Sequence, residues 1–177
     1  MSRTPQPTRL NLPALAQGGQ PLTGQTPLAE LARLAADLPA DAPASAPVAW
    51  QALTEWRARP GASDQLWLHL EAQAQVPLVC QRCLGPVVEP LAVDRWFRFV
   101  DTEAQAEAED DEAEEDLLVL EPQFDLLALL EDELIMALPL VPMHEICPEL
   151  PPMRAGEDAP EPPAHPFAAL ARLKKGG

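Results

Sequence analysis

Alternating apolar and polar residues predict two long strands in the middle of the chain. Between Asp64 and Val76 every second residue is apolar, and the residues between them are polar or aromatic. The apolar series is Leu66, Leu68, Leu70, Ala72, Ala74 and Val76. A two-residue period is typical of a half-buried strand in an antiparallel sheet. Val87 to Val100 repeats the pattern after a short turn, which predicts a long hairpin, and Trp50 to Trp56 predicts a further strand.

The main helix is predicted near residue 130. From residue 126 to residue 138 leucines and alanine recur at helical spacing, with Asp125 ahead of them and Pro139 behind. Aspartate is a common helix-capping residue and proline ends a helix, so we predict this helix over about 125–138. Its acidic run, Glu131-Asp132-Glu133, is expected on the solvated side.

A second, short helix is predicted near the N-terminus. Thr26 and Pro27 resemble a capping residue and a first-turn proline, and an apolar stripe follows at Leu28, Leu31, Leu34 and Leu38. The apolar stretch Leu10–Leu15 predicts an edge strand. The fold class predicted from these patterns is α+β: a mostly antiparallel sheet with a long hairpin, packed by the main helix.

Composition divides the chain into three parts. Its 177 residues suit one domain with tails. We predict a flexible N-terminal segment over 1–25, a single α+β domain over 26–150, and a proline-rich C-terminal tail over 151–177 with a short amphipathic end. Ten of the sixteen residues in 101–116 are Asp or Glu, which predicts a solvated or disordered acidic loop.

The charge balance constrains the partners. Lys and Arg number 12 against 28 Asp and Glu, a formal net charge of −16. This charge balance disfavours extensive electrostatic contact with the phosphate backbone of nucleic acids and favours basic partners. The chain shows no leader pattern and no uncharged apolar run near the length of a membrane span. We therefore expect a cytoplasmic protein with reduced thiols and no membrane contact.

Two short motifs predict a metal site. Cys80 and Cys83 are separated by two residues, and His144 and Cys147 repeat the spacing. A turn that carries two metal ligands at this spacing is called a knuckle; Cys80 and Cys83 belong to the first knuckle, and His144 and Cys147 belong to the second. Two knuckles can close a tetrahedral Cys3His site around zinc. A thioredoxin-like redox pair is one alternative, although its cysteines normally open a helix, whereas Gly85-Pro86 and a strand follow here. Reduced cysteines that serve packing without a metal are the other alternative.

A second candidate site combines basic and aromatic residues. The predicted partner-binding residues are Arg82, Arg95, Trp96 and Arg98. Such residues can stack on bases and contact phosphates, but an ordinary polar strand face has the same composition. Trp67 and His69 also lie on the polar side of their strand, which suggests a covered or binding surface.

Three segments carry a family resemblance. The Cys80–Cys83 motif after an alternating strand, the run 125–142 followed by His144 and Cys147, and the ending 165–175 resemble the YceD family, the large ribosomal RNA subunit accumulation proteins. The resemblance reaches from about residue 76 to the end. It implies a bacterial cytoplasmic protein needed for normal levels of large-subunit ribosomal RNA, encoded in many bacteria beside a small basic ribosomal protein. It implies no established enzymatic activity.

The resemblance sets the expected function. We expect a ribosome biogenesis factor that supports synthesis, processing or stability of 23S ribosomal RNA. The expected partners are a large-subunit precursor, ribosomal RNA or a basic ribosomal protein, with no small-molecule substrate. One alternative is an acidic escort for a basic ribosomal protein. An alternative of another class is a thiol–disulfide redox enzyme that uses Cys80 and Cys83.

Overall fold

A five-stranded sheet forms the fold together with helices, of which the main one packs into the same hydrophobic core as the strands. The computed structural model describes residues 5–43 and 45–148. The elements in chain order are α1 (Leu12–Gly18), β1 (Leu22–Pro27), α2 (Ala32–Ala36), β2 (Pro47–Arg57), β3 (Gln65–Val79), β4 (Pro86–Val100), α3 (Glu103–Glu109), β5 (Asp116–Val119) and α4 (Leu126–Met136). The strands lie side by side in chain order, antiparallel from β1 to β4, with β5 parallel to β4. The predicted α+β class with a mostly antiparallel sheet is confirmed.

The β3–β4 hairpin is the longest feature. Each strand has 15 residues, about 50 Å at the usual rise per residue. The even-numbered residues of β3 from Leu66 to Leu78 are all buried, as their alternation predicts. β2 pairs with β3 only as far as Ala49 opposite Gln73, so β3 runs another six residues, about 20 Å, past this pairing. The hairpin therefore ends in a tip that β2 does not accompany.

Helix α4 packs its leucines into the core, as its period predicts. Leu126, Leu130 and Leu134 are fully buried. Asp125 caps the helix, because its carboxylate accepts a hydrogen bond of 3.0 Å from the N–H of Ala128. No helix of residues 5–43 and 45–148 has the length and hydropathy needed to cross a membrane.

The N-terminal residues differ from the prediction. Leu10–Leu15 was predicted as an edge strand, but Leu12–Gly18 is a helix because Asn11 caps it through a 2.9 Å bond from Ala14 N–H. Leu10 instead pairs with Phe124 through two backbone hydrogen bonds of 2.9 Å. Within the segment predicted to be flexible, residues 5–25 thus contain α1, most of β1 and two buried leucines. The domain boundaries stay predictions.

The short N-terminal helix starts later than Thr26-Pro27 suggests. These two residues end β1, a 3-10 turn covers Leu28–Glu30, and the helix is Ala32–Ala36. Its first turn is capped from a distance: Glu131 Oε1 accepts hydrogen bonds from the N–H groups of Arg33 at 2.6 Å and Leu34 at 3.2 Å. A local capping motif cannot reveal a cap supplied by a residue almost a hundred positions away.

The contact between Glu131 and α2 also shows that the acidic run of α4 is not the solvent-exposed face that the sequence predicts. Glu131 and Glu133 are buried, and only Asp132 of that acidic run is exposed. Arg33 pairs with Glu131 at 2.9 Å, and Glu133 lies 3.8 Å from Arg95 on β4. Burial raises the pKa of Glu133, although the positive charge of Arg95 opposes the shift.

The acidic segment 101–116 is a folded part of the structure and not a loop. It contains α3, a 3-10 turn and the first residue of β5. Glu109 and Glu115 both accept hydrogen bonds from Arg98, and Asp116 pairs with Arg95. The prediction failed because the compensating arginines lie in the strand just before the segment, outside the acidic run itself.

Candidate metal centre

The first knuckle is a tight turn at the tip of the β3–β4 hairpin. Cys80 N–H donates to Gly85 C=O at 2.9 Å, and Leu84 N–H donates to Cys80 C=O at 2.8 Å. Leu84 takes a left-handed conformation with φ of 60°, which is rare for leucine. The turn holds Cys80 buried and Cys83 half-buried at the tip.

The second knuckle follows α4. Pro139 and Pro142 keep the chain out of a helix after Met136, as expected from their fixed φ and missing N–H. Gln81 N–H donates to Pro142 C=O at 2.9 Å, which fastens this segment to the hairpin turn. His144 and Cys147 thereby reach the first knuckle.

The four predicted ligands converge. Their candidate ligand atoms all lie within 4.8 Å of one another. Cys80 Sγ is 3.8 Å from Cys147 Sγ, and Cys83 Sγ is 3.4 Å from His144 Nδ1. A tetrahedral zinc with bonds of about 2.3 Å to sulfur and 2.0–2.1 Å to nitrogen has S···S edges of about 3.8 Å and S···N edges of about 3.6 Å. The four side chains could therefore hold one zinc ion.

The thiols of Cys80 and Cys147 differ in the direction in which the site shifts their pKa. Burial raises the pKa of the Cys80 thiol, but hydrogen bonds from backbone N–H groups of Cys83, His144 and Arg82 outweigh burial and lower the pKa to about 5. Burial raises the pKa of Cys147 to about 11, helped by hydrogen bonds to Cys83 and Cys80. These hydrogen bonds favour the thiolate form of Cys80 over that of Cys147. A bound cation would displace the remaining protons, because ligating thiols are deprotonated.

The predicted basic-aromatic residues do not form one patch. Arg82 lies in the hairpin turn, whereas Arg95 lies nine residues into β4, about 30 Å along the strand. Arg95 pairs with Asp116, and Arg98 is only 6% exposed and pairs with Glu109. The part that these arginines and Trp96 play in partner binding stays a prediction.

An aromatic cluster that includes Arg57 covers the outer face of the sheet. The Arg57 guanidinium lies 4.1 Å from the ring centre of Trp67 and 4.0 Å from that of Trp96. The His69 ring stacks on Trp96 with centroids 4.4 Å apart, and His69 Nε2 lies 2.7 Å from Asp94 Oδ1. Trp67 and His69 were marked by their place in the alternation. Arg57 was missed, because only the pairing of β2 with β3 brings it to them.

Comparison with known proteins identifies the chain's relatives. The family described as "Large ribosomal RNA subunit accumulation protein YceD" matches residues 68–174. A Haemophilus influenzae protein of the same name is 36% identical over 117 residues. The match covers 59% of this chain and 63% of that relative, so the chain spans less than two thirds of the relative's length. No solved structure matches.

The matched region contains every residue of the candidate metal centre. It also includes the whole of α4 and β4 and most of β3. It covers more than half of the chain, and the resemblance seen in the two knuckles and the α4 sequence falls within it. The chain is therefore a member of the family of large ribosomal RNA subunit accumulation proteins called YceD.

Proposed function

We propose that the protein is a cytoplasmic ribosome biogenesis factor that supports the accumulation of 23S ribosomal RNA. The observation that carries this proposal is the family match over residues 68–174, together with the name of the H. influenzae relative. Synthesis, processing and stability of the RNA are all steps at which such support can act.

The charges of the protein favour a protein partner over protein-free RNA. Residues 5–148 contain 24 Asp and Glu, seven Arg and no Lys. Within the described residues, Arg33, Arg57, Arg95 and Arg98 already form ion pairs with carboxylates of the chain. An acidic surface of this kind repels phosphates and attracts basic proteins. This observation also supports the second candidate function, an acidic escort for a basic ribosomal protein.

We further propose that Cys80, Cys83, His144 and Cys147 bind one structural zinc ion. Four protein ligands fill a tetrahedral zinc, which leaves no position for a substrate. The ion would join the hairpin turn to the segment after α4 and fix their relative position. A thiol–disulfide enzyme is less well supported, because β4 and not a helix follows Cys83.

The test is the ratio of 23S to 16S ribosomal RNA in cells that lack the gene. We expect the ratio to fall on deletion and to recover with the wild-type gene. Cys80→Ser should fail to restore it, whereas the control Gln81→Ala, at an exposed position of the same turn, should restore it. An unchanged ratio on deletion would contradict the proposed function. Full rescue by Cys80→Ser would contradict only the part assigned to the metal site.

A further inference from the structure

Exposed aliphatic side chains concentrate around the metal centre. Of the nine large hydrophobic residues exposed among residues 5–43 and 45–148, seven lie in the hairpin tip or in the segment that carries the second knuckle. We call these seven the apolar tip: Val79, Leu84, Val88, Leu140, Val141, Met143 and Ile146. Leu140 is fully exposed and Ile146 is 85% exposed, so neither side chain contributes to the core. A cluster of this kind on a soluble domain marks an interaction surface.

The hairpin contributes one continuous apolar face to this surface. Val79 pairs with Pro86 and Pro77 pairs with Val88, which places all four side chains on the same face, opposite the core. The prolines lack backbone donors, so an added strand would bind poorly along these edges. The surface is therefore suited to side-chain contacts and not to strand addition.

The two parts of the apolar tip are held together. The Gln81–Pro142 hydrogen bond and the convergence of the four candidate ligands join the turn to the second knuckle. Arg82 contacts the sulfur of Met143 at 3.8 Å across the same junction. A surface whose backbone is fixed in this way loses little conformational entropy when it binds.

Two observations identify the chemistry of the partner. All seven side chains of the apolar tip are aliphatic or methionine, so the surface offers no aromatic ring for base stacking. The described part of the chain carries 24 carboxylates against seven arginines, which attracts positive charge and repels phosphate. We propose that the apolar tip is a docking surface for a basic protein that presents aliphatic side chains. The choice of large-subunit proteins as probes rests on the proposed function.

The experiment measures binding by the whole chain of 177 residues. Wild type, the double variant Leu140→Ser/Ile146→Ser and the control Trp56→Ser are each titrated with individually purified basic proteins of the large ribosomal subunit, and with protein-free 23S RNA. Trp56 is another exposed hydrophobic residue, and it pairs with Leu66 at the opposite end of the hairpin. At least one basic protein should bind wild type. Its Kd should rise at least about ten-fold in the double variant and less than about two-fold in the control.

Several results would overturn the proposal. The proposal is wrong if wild type and double variant bind every tested basic protein with equal affinity. It is also wrong if none of the tested basic proteins binds wild type. RNA binding that the double variant loses, or a wild-type dimer that the double variant dissociates, would also overturn it, because RNA or a second copy would then occupy the surface. Unchanged melting temperature and zinc content in both variants show that a loss of binding is not a loss of fold.

The proposal and the proposed function can fail separately. If deletion lowers the 23S to 16S ratio and the double variant restores it fully, the function stands and the docking surface is wrong. If deletion leaves the ratio unchanged, the function is wrong, and the binding measurements decide the docking surface without it.

Discussion

Two glutamates of α4, Glu131 and Glu133, affect the stability of the fold in ways that the neighbouring residues in the sequence do not reveal. Glu131 receives hydrogen bonds from two backbone N–H groups at the start of α2 and from the Arg33 side chain. Glu133, two residues later, is equally buried, but among the described residues its one cationic neighbour is Arg95 at 3.8 Å, and the carboxylates of Asp116 and Asp132 also lie near it. Three adjacent acidic residues on a helix predict a solvent-exposed face, because the local sequence does not show which distant residues will cover them. Glu131 is therefore expected to stabilise the fold, and ionised Glu133 to cost stability.

Replacing Glu131 should destabilise the protein. Glu131→Ala removes a buried acceptor and leaves two backbone donors of α2 without their partner, so we expect a loss of about 1–3 kcal/mol in the free energy of unfolding. Asp132→Ala is the matched control, because Asp132 pairs with the same arginine but is half exposed. It should cost less than about 1 kcal/mol. Equal losses in denaturant unfolding would show that Glu131 is not the cap of α2.

Replacing Glu133 should change how stability depends on pH. Burial raises the pKa of Glu133 in the folded state above its unfolded value, so folding disfavours the charged form. That cost is absent below the unfolded pKa and is complete once the pH exceeds the folded pKa. Glu133→Gln should therefore gain melting temperature relative to wild type as the pH rises through that range. A difference that shrinks with rising pH would contradict the assignment.

The elements divide into those that local pattern predicts and those that distant contacts create. The hairpin and α4 were predicted because each buries one face. One-sided burial places apolar residues at a regular spacing along the sequence, and that spacing can be recognised without the structure. β1 was missed and α1 was taken for a strand, because short segments with few apolar residues carry no clear period. The acidic segment forms α3 and the start of β5, and Arg95 and Arg98 of β4 tie it to the sheet through Asp116 and Glu115. The four candidate metal ligands were predicted from their spacing, but their convergence depends on how the chain returns from α4 to the hairpin tip.

Removing the carboxylates that face Arg98 should loosen the acidic segment and the strand beneath it. Arg98 is almost fully buried, and its hydrogen bonds to Glu109 and Glu115 balance its charge. We expect Glu109→Ala/Glu115→Ala to lower the free energy of unfolding by about 3 kcal/mol, because a buried charge loses its partners. Glu107→Ala/Asp111→Ala removes the same charge from exposed positions and should have little effect. Similar stability of the two double variants would mean that Arg98 does not hold the segment.

At the scale of the molecule, the described residues combine an acidic body with an apolar tip. In the proposed docking, the negative charge would attract a basic protein over a distance and the apolar tip would supply the short-range contact, so the two features would act at different stages of one encounter. Sequence composition gave the sign of the charge directly. It could not give the apolar tip, whose residues come from two segments, one ending at Val88 and the other beginning at Leu140.

Salt should therefore separate the two contributions. Raising the NaCl concentration from about 0.05 M to about 0.3 M should slow association with a basic large-subunit protein, because screening weakens long-range attraction. Dissociation should change much less, because the apolar contacts of the tip are not screened. Stopped-flow association and dissociation rates measure the two effects. A salt effect confined to dissociation would contradict this division.

We propose that two distant knuckles close one Cys3His zinc site. Zinc X-ray absorption spectroscopy of the purified protein tests it most directly, because the fine structure reports the number, type and distance of the ligands. We expect one zinc per chain with three sulfur atoms at about 2.3 Å and one nitrogen at about 2.0–2.1 Å. Protein without zinc, or zinc surrounded mainly by oxygen, would contradict it.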